Sequence, residues 1–85
     1  MIQLDLIKIG KFIAELRKEN GLTQEQLGDK IGVTNKTISR WETGTYLPPA
    51  DAMLAMGEVF NVSVNEILSG SRLTEAEYKK AAEEN

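Results

Sequence analysis

No cysteine and no histidine occur among the 85 residues. Without thiols the chain can form neither a disulfide framework nor a thiolate nucleophile. Without imidazole it lacks the usual general base and the commonest metal ligand. No carboxylate pair stands out as an acid–base dyad, so an enzyme is not expected, and neither is a metal site or a cofactor. No apolar run approaches the ~20 residues that a membrane-spanning helix needs. The opening segment MIQLDLIKIG is too short and too polar for a secretory signal. The expected compartment is therefore the cytoplasm, without membrane contact. Strictly alternating apolar residues are also missing, which removes a sheet and leaves an all-α chain.

What is present suffices for one domain. Hydrophobic residues make up 41% of the chain and prolines number two, too apolar and too patterned for disorder. A domain of this size buries roughly 60–65% of its unfolded surface. The net charge of −3 argues against a protein that coats nucleic acid without selectivity. A local positive face on an acidic body remains open.

Residues 5–20 carry Ile9, Phe12, Ile13 and Leu16 at helical spacing, with lysines and glutamates outside that stripe. Asp5 is the candidate N-cap, and Asn20-Gly21 closes the helix. Thr23-Gln24-Glu25-Gln26 is a capping box that opens a second helix with Leu27 and Ile31 inward. Gly28 lies inside it, where glycine costs ~0.5–1 kcal/mol relative to alanine. A small residue there fits a closely crossing helix. Gly32-Val33 makes a turn, and Thr34 caps a third helix that runs to about Glu42 or Thr43 and stops at Gly44. Pro48-Pro49 interrupts helix until a fourth begins near residue 50. That helix covers about 50–60, with Met53, Met56, Gly57 and Phe60 on one face and Asp51 at its positive end. Ser63-Val64-Asn65-Glu66 is another capping box, opening a short helix that buries Ile67 and Leu68. Thr74-Glu75-Ala76-Glu77 repeats the signal, for a last helix over about 75–83.

On a helical wheel of about 100° per residue, Thr34, Ile38 and Trp41 form the buried side of the third helix. Asn35, Lys36, Ser39, Arg40 and Thr43 occupy the opposite arc, and no carboxylate stands on it. Glu42 lies at its edge, turned towards the body. Arginine can donate two hydrogen bonds to guanine, asparagine can pair with adenine, and lysine serves guanine or phosphate. The wheel alone fits an ordinary solvated face equally well. Trp41, Met53 and Met56 fit core packing better than a stacking platform or a promiscuous groove. Asn35-Lys36-Thr37 and Asn61-Val62-Ser63 match the glycosylation sequon and are discounted without a signal peptide.

Two capped helices about a glycine turn have the geometry of a helix-turn-helix. The run IAELRKENGLTQEQLGDKIGVTNKTISRWETGTYLPP, followed by FNVSVNEILSG, resembles the Cro/CI-type (XRE-type) helix-turn-helix domains of bacterial and phage repressors. The resemblance covers roughly residues 8–70. It implies a compact five-helix, lambda-repressor-like domain over residues 1–70 and a short helical tail over 71–85, where a longer region could begin. By the same resemblance, Asn35, Lys36, Ser39 and Arg40 match positions that reach bases or nearby phosphates. Gln24, Thr34, Thr43 and Thr45 match positions that hold the DNA backbone, and Arg17 with Glu42 matches a supporting salt bridge. Gly28 and Gly57 depart from the more usual alanine, and the fourth-helix methionines from leucine.

The resulting expectation is a bacterial transcriptional regulator, most simply a repressor. It would act as a homodimer on a palindromic double-stranded operator, with the region Val62–Leu68 at the dimer surface. An antitoxin that also neutralises a partner protein, and an interaction module that kept the fold without DNA binding, are the rival readings.

Overall fold

A computed structural model describes residues 4–77. Five helices follow in order: α1 (Leu6–Glu19), α2 (Gln24–Ile31), α3 (Asn35–Glu42), α4 (Ala50–Phe60) and α5 (Val64–Ser69). The described residues contain no strand, and residues 75–77 are helical again. The remainder of the helix expected over 75–83 lies outside the described residues.

The start signals act locally. The Asp5 carboxylate accepts from the Lys8 amide at 3.0 Å. Thr23 accepts from the Gln26 amide at 3.0 Å while the Gln26 carbonyl returns the bond to the Thr23 amide at 2.9 Å. Ser63 and Glu66 make the same reciprocal pair. Each reciprocal pair satisfies two amides that a helix start leaves without a partner, and Asp5 satisfies one. Only α4 has no side-chain N-cap bond, because its N-cap is Pro49. Asp51 lies in the first turn of α4, where its charge opposes the helix dipole.

All five helices contribute to one core. Ile9, Ile13, Leu16, Leu27, Ile38, Met56 and Ile67 are essentially inaccessible, with Phe12, Trp41, Ala52, Met53 and Phe60 completing the cluster. Three details differ from the helical-wheel reading. The buried face of α4 includes Ala52 rather than Gly57, and Ile31 and Leu68 are half-buried at the rim.

The third difference concerns the glycines. No helix crosses at Gly28; a Cβ there would lie 2.4 Å from the Val33 carbonyl oxygen of the following turn. Gly57 stands in the same relation to the Val62 carbonyl, at 2.8 Å. In both turns the glycine carbonyl accepts two amides, from Gly32 and Val33 in one and from Asn61 and Val62 in the other. The close crossing is at Gly10 instead. A Cβ on that residue would meet the Trp41 and Glu42 carbonyl oxygens at 2.4 and 2.6 Å, so α1 rests directly on the end of α3.

Beyond α5 the chain turns back on the body. Arg72 pairs with Glu19 at 2.6 Å, and the Leu73 amide donates to Glu66 at 3.0 Å. Exposed pairs of this kind add little stability. The Arg72 hydrogen bond nonetheless holds the Glu19 carboxyl below the usual glutamate range.

Two outcomes follow. Gly10→Ala gains about 0.5–1 kcal/mol of helix propensity. It nevertheless lowers stability in urea unfolding by about 1–3 kcal/mol net, because overpacking forces α1 off α3. In NMR titration Glu19 gives up its proton below the ordinary glutamate range, and Arg72→Ala returns it there. Since the folded value is the lower one, the pair's contribution is complete at neutral pH and disappears as pH falls through that value.

Candidate nucleic-acid interface

The Thr34 hydroxyl accepts from the Thr37 amide at 3.3 Å and opens α3. Ile38 and Trp41 then face inward, at 0% and 4% exposure. Helical period leaves Asn35, Lys36 and Arg40 exposed and Ser39 half-buried on the opposite arc. None of these four side chains makes a hydrogen bond or ion pair with another described residue. Amide, ammonium, hydroxyl and guanidinium donors therefore stand on the arc uncommitted.

The orientation of α3 is set from below. Arg17 of α1 forks onto Glu42, with Nε 2.6 Å from Oε2 and Nη2 2.9 Å from Oε1. Its remaining donor, Nη1, reaches the Leu22 carbonyl at 2.9 Å. The side chains of the pair are 12% and 7% exposed. The hydrogen bond to Glu42 raises the Arg17 guanidinium above its ordinary value, against the opposing effect of burial. Gln24, at the start of α2, donates Nε2 to Glu42 Oε1 at 3.1 Å. That bond uses one amide hydrogen and leaves the second, with the carbonyl oxygen, for another partner. Three segments thus converge on a single carboxylate.

The threonines after α3 are placed differently. Thr43 Oγ1 donates to the Arg40 carbonyl at 3.2 Å and lies 2.9 Å from Thr45 Oγ1. With the Thr43 proton so used, Thr45 donates to Thr43, and neither hydroxyl has a free proton. Either can serve a phosphate only by giving up its bond within the loop. Thr34, which the wheel puts on the buried side, is instead exposed: as the N-cap it has extended backbone and lies outside the helical period, with its hydroxyl 3.1 Å from that of Thr37.

Two features escaped the sequence reading. A groove of about 350 Å³ opens beside the start of α3, lined by Glu25, Asp29, Val33, Thr34 and Asn35. Among the described residues the exposed large apolar side chains are Leu4, Ile7, Tyr46 and Leu54; Val62, Val64 and Leu68 are half-buried against their own core. Among the described residues there is no cluster of three or more potential metal ligands and no helix long and apolar enough to cross a membrane.

Comparison with known proteins adds three findings. Residues 13–67 match the family model described as helix-turn-helix. The chain is 36% identical over 61 residues to the HTH-type transcriptional activator BcrR of Enterococcus faecalis, covering 72% of this chain and 30% of that protein. It is 32% identical over 65 residues to the antitoxin PezA of Streptococcus pneumoniae, covering 76% of this chain and 41% of the other. Among solved structures it is similar to the P22 c2 repressor in complex with a synthetic operator. The TM-score is 0.71 at 31% identity, over 82% of this chain and all of that one. The chain thus spans less than half the length of either curated relative.

Glu42→Ala leaves the Arg17 guanidinium half-buried with only the Leu22 carbonyl, and should cost about 2–4 kcal/mol in urea unfolding. A double variant with Arg17→Ala should lose less than the sum of the single losses. The difference is the coupling between the two side chains.

Proposed function

Because the chain belongs to the Cro/CI-type helix-turn-helix family, we propose that it binds a specific double-stranded DNA sequence and regulates transcription, most simply as a repressor. One observation carries this reading. The outer arc of α3 presents Asn35, Lys36, Ser39 and Arg40 with their donors uncommitted, on a helix whose direction Arg17 and Glu42 fix. Preorganised donors lose little freedom on binding, and an α-helix matches the width of the major groove.

In this reading α3 enters the major groove of a DNA duplex. Arg40 forks onto a guanine, Asn35 pairs with adenine, and Lys36 and Ser39 take neighbouring bases or phosphates. Gln24 contributes its free amide hydrogen to the phosphate backbone. Thr34, Thr43 and Thr45 hold phosphates at the two ends of α3. One module of this size offers limited contact, so two copies act together on a palindromic operator, with half-sites about one helical turn apart. The site of action is the cytoplasm. The similarity to PezA favours a second reading, in which a partner protein is neutralised as well and the same DNA face controls expression of the pair.

Selection from a random duplex pool should yield one preferred, two-fold symmetric sequence. Arg40→Ala should weaken binding to it by about 1–3 kcal/mol and relax preference at one base position per half-site. Gln24→Ala should weaken all sequences about equally. An Arg40→Ala protein with unchanged base preference would refute the role given to that residue.

A further inference from the structure

Glu25 and Asp29 sit one turn apart on α2 and line the same groove as Thr34 and Asn35, the first residues of the reading helix and its cap. Both are exposed, and neither makes a hydrogen bond or ion pair with a described residue. Most other described carboxylates are committed. Asp5, Glu66 and Glu77 cap amides, Glu19 and Glu42 hold arginines, and Asp51 accepts from Ala52. Neither of the two charges is held in an ion pair with a described residue, although Lys30 lies in the same helix and Lys36 in the next.

Resting on the DNA-binding reading above, we propose that Glu25 and Asp29 limit sequence-independent affinity by repelling the phosphate backbone next to α3. The pair binds nothing itself. Non-specific complexes are held essentially by attraction between protein cations and phosphates. Carboxylates that docking of α3 brings within a Debye length of about 8–10 Å of that backbone oppose this attraction directly. Docking at the operator adds base hydrogen bonds that outweigh the repulsion. At any other sequence those bonds are missing and the repulsion decides. An uncompensated charge is one of the means by which a surface rejects wrong partners. The repulsion is common to every sequence, so it lowers affinity everywhere and leaves firm binding only where base contacts are added.

Binding of the whole chain to a short duplex of scrambled sequence, across a salt series, tests this without knowledge of the operator. The double variant Glu25→Gln, Asp29→Asn should bind about three- to tenfold more tightly at 0.1 M salt, with a steeper salt dependence. Both positions are exposed, so the fold is not at risk. Glu58→Gln removes an exposed carboxylate from α4, which packs on α2 and α5, and should change the affinity little. An unaltered affinity in the double variant, or an equal gain in Glu58→Gln, overturns the proposal. If Arg40→Ala still relaxes base preference in that case, the DNA-binding reading stands and only the role of the two carboxylates falls. Failure of the unaltered chain to bind duplex at any salt overturns both.

Discussion

The carboxylate of Glu42 is the point on which the reading surface depends. It belongs to the last turn of α3, yet its partners come from α1 and from the first residue of α2. A helix of eight residues has little stability alone, so its direction must come from tertiary contacts. Ile38 and Trp41 supply the burial, but apolar packing tolerates rotation more readily than a bidentate ion pair does. The fork geometry of Arg17 fixes both distance and plane. A mostly buried pair is weak evidence for stability. Here its value lies in the angle it imposes.

Gly10 makes the same junction possible from the backbone side. With no Cβ, α1 can lie against the carbonyl oxygens of Trp41 and Glu42, which places Arg17 two turns further on within reach of Glu42. Close approach and ion pair are thus two ends of one helix–helix contact. The α2–α3 and α4–α5 connections share a second solution. Each has a glycine five residues before a valine, a left-handed cap at Gly32 or Asn61, and then a hydroxyl N-cap at Thr34 or Ser63. The glycine admits the valine carbonyl, and the buried isoleucine four residues after each hydroxyl, Ile38 or Ile67, anchors the new helix.

These particulars explain what was legible in the sequence. Caps at Thr23, Thr34 and Ser63 could be read because a capping bond spans only three residues. The core stripe of α1 could be read because periodicity within one helix is also local. Gly28 was assigned to the wrong neighbour, since spacing along one helix does not say which backbone approaches it. Gly10 went unremarked for the same reason. Resemblance brought Arg17 and Glu42 together across 25 positions, a separation at which no local rule operates. Nothing in the spacing of Glu25 and Asp29 along α2 marks them in the sequence. Only the fold puts them in a groove with Thr34 and Asn35.

The polar groups around α3 also differ in what binding would ask of them. Arg40, Lys36 and Asn35 exchange water for a ligand and break no protein bond. Gln24 keeps its bond to Glu42 and offers what is left of its amide, so a contact made there is aligned with the reading helix from the outset. Thr43 and Thr45 must exchange a bond within the loop for a bond to phosphate. An exchange of equals adds little net free energy, since protein hydrogen bonds contribute only about 1 kcal/mol each over what they replace. The loop threonines thus suit registration better than adhesion. On the proposed reading, affinity falls to the few cations on the arc, working against an acidic body. A protein so balanced would hold DNA firmly only where base contacts are also made.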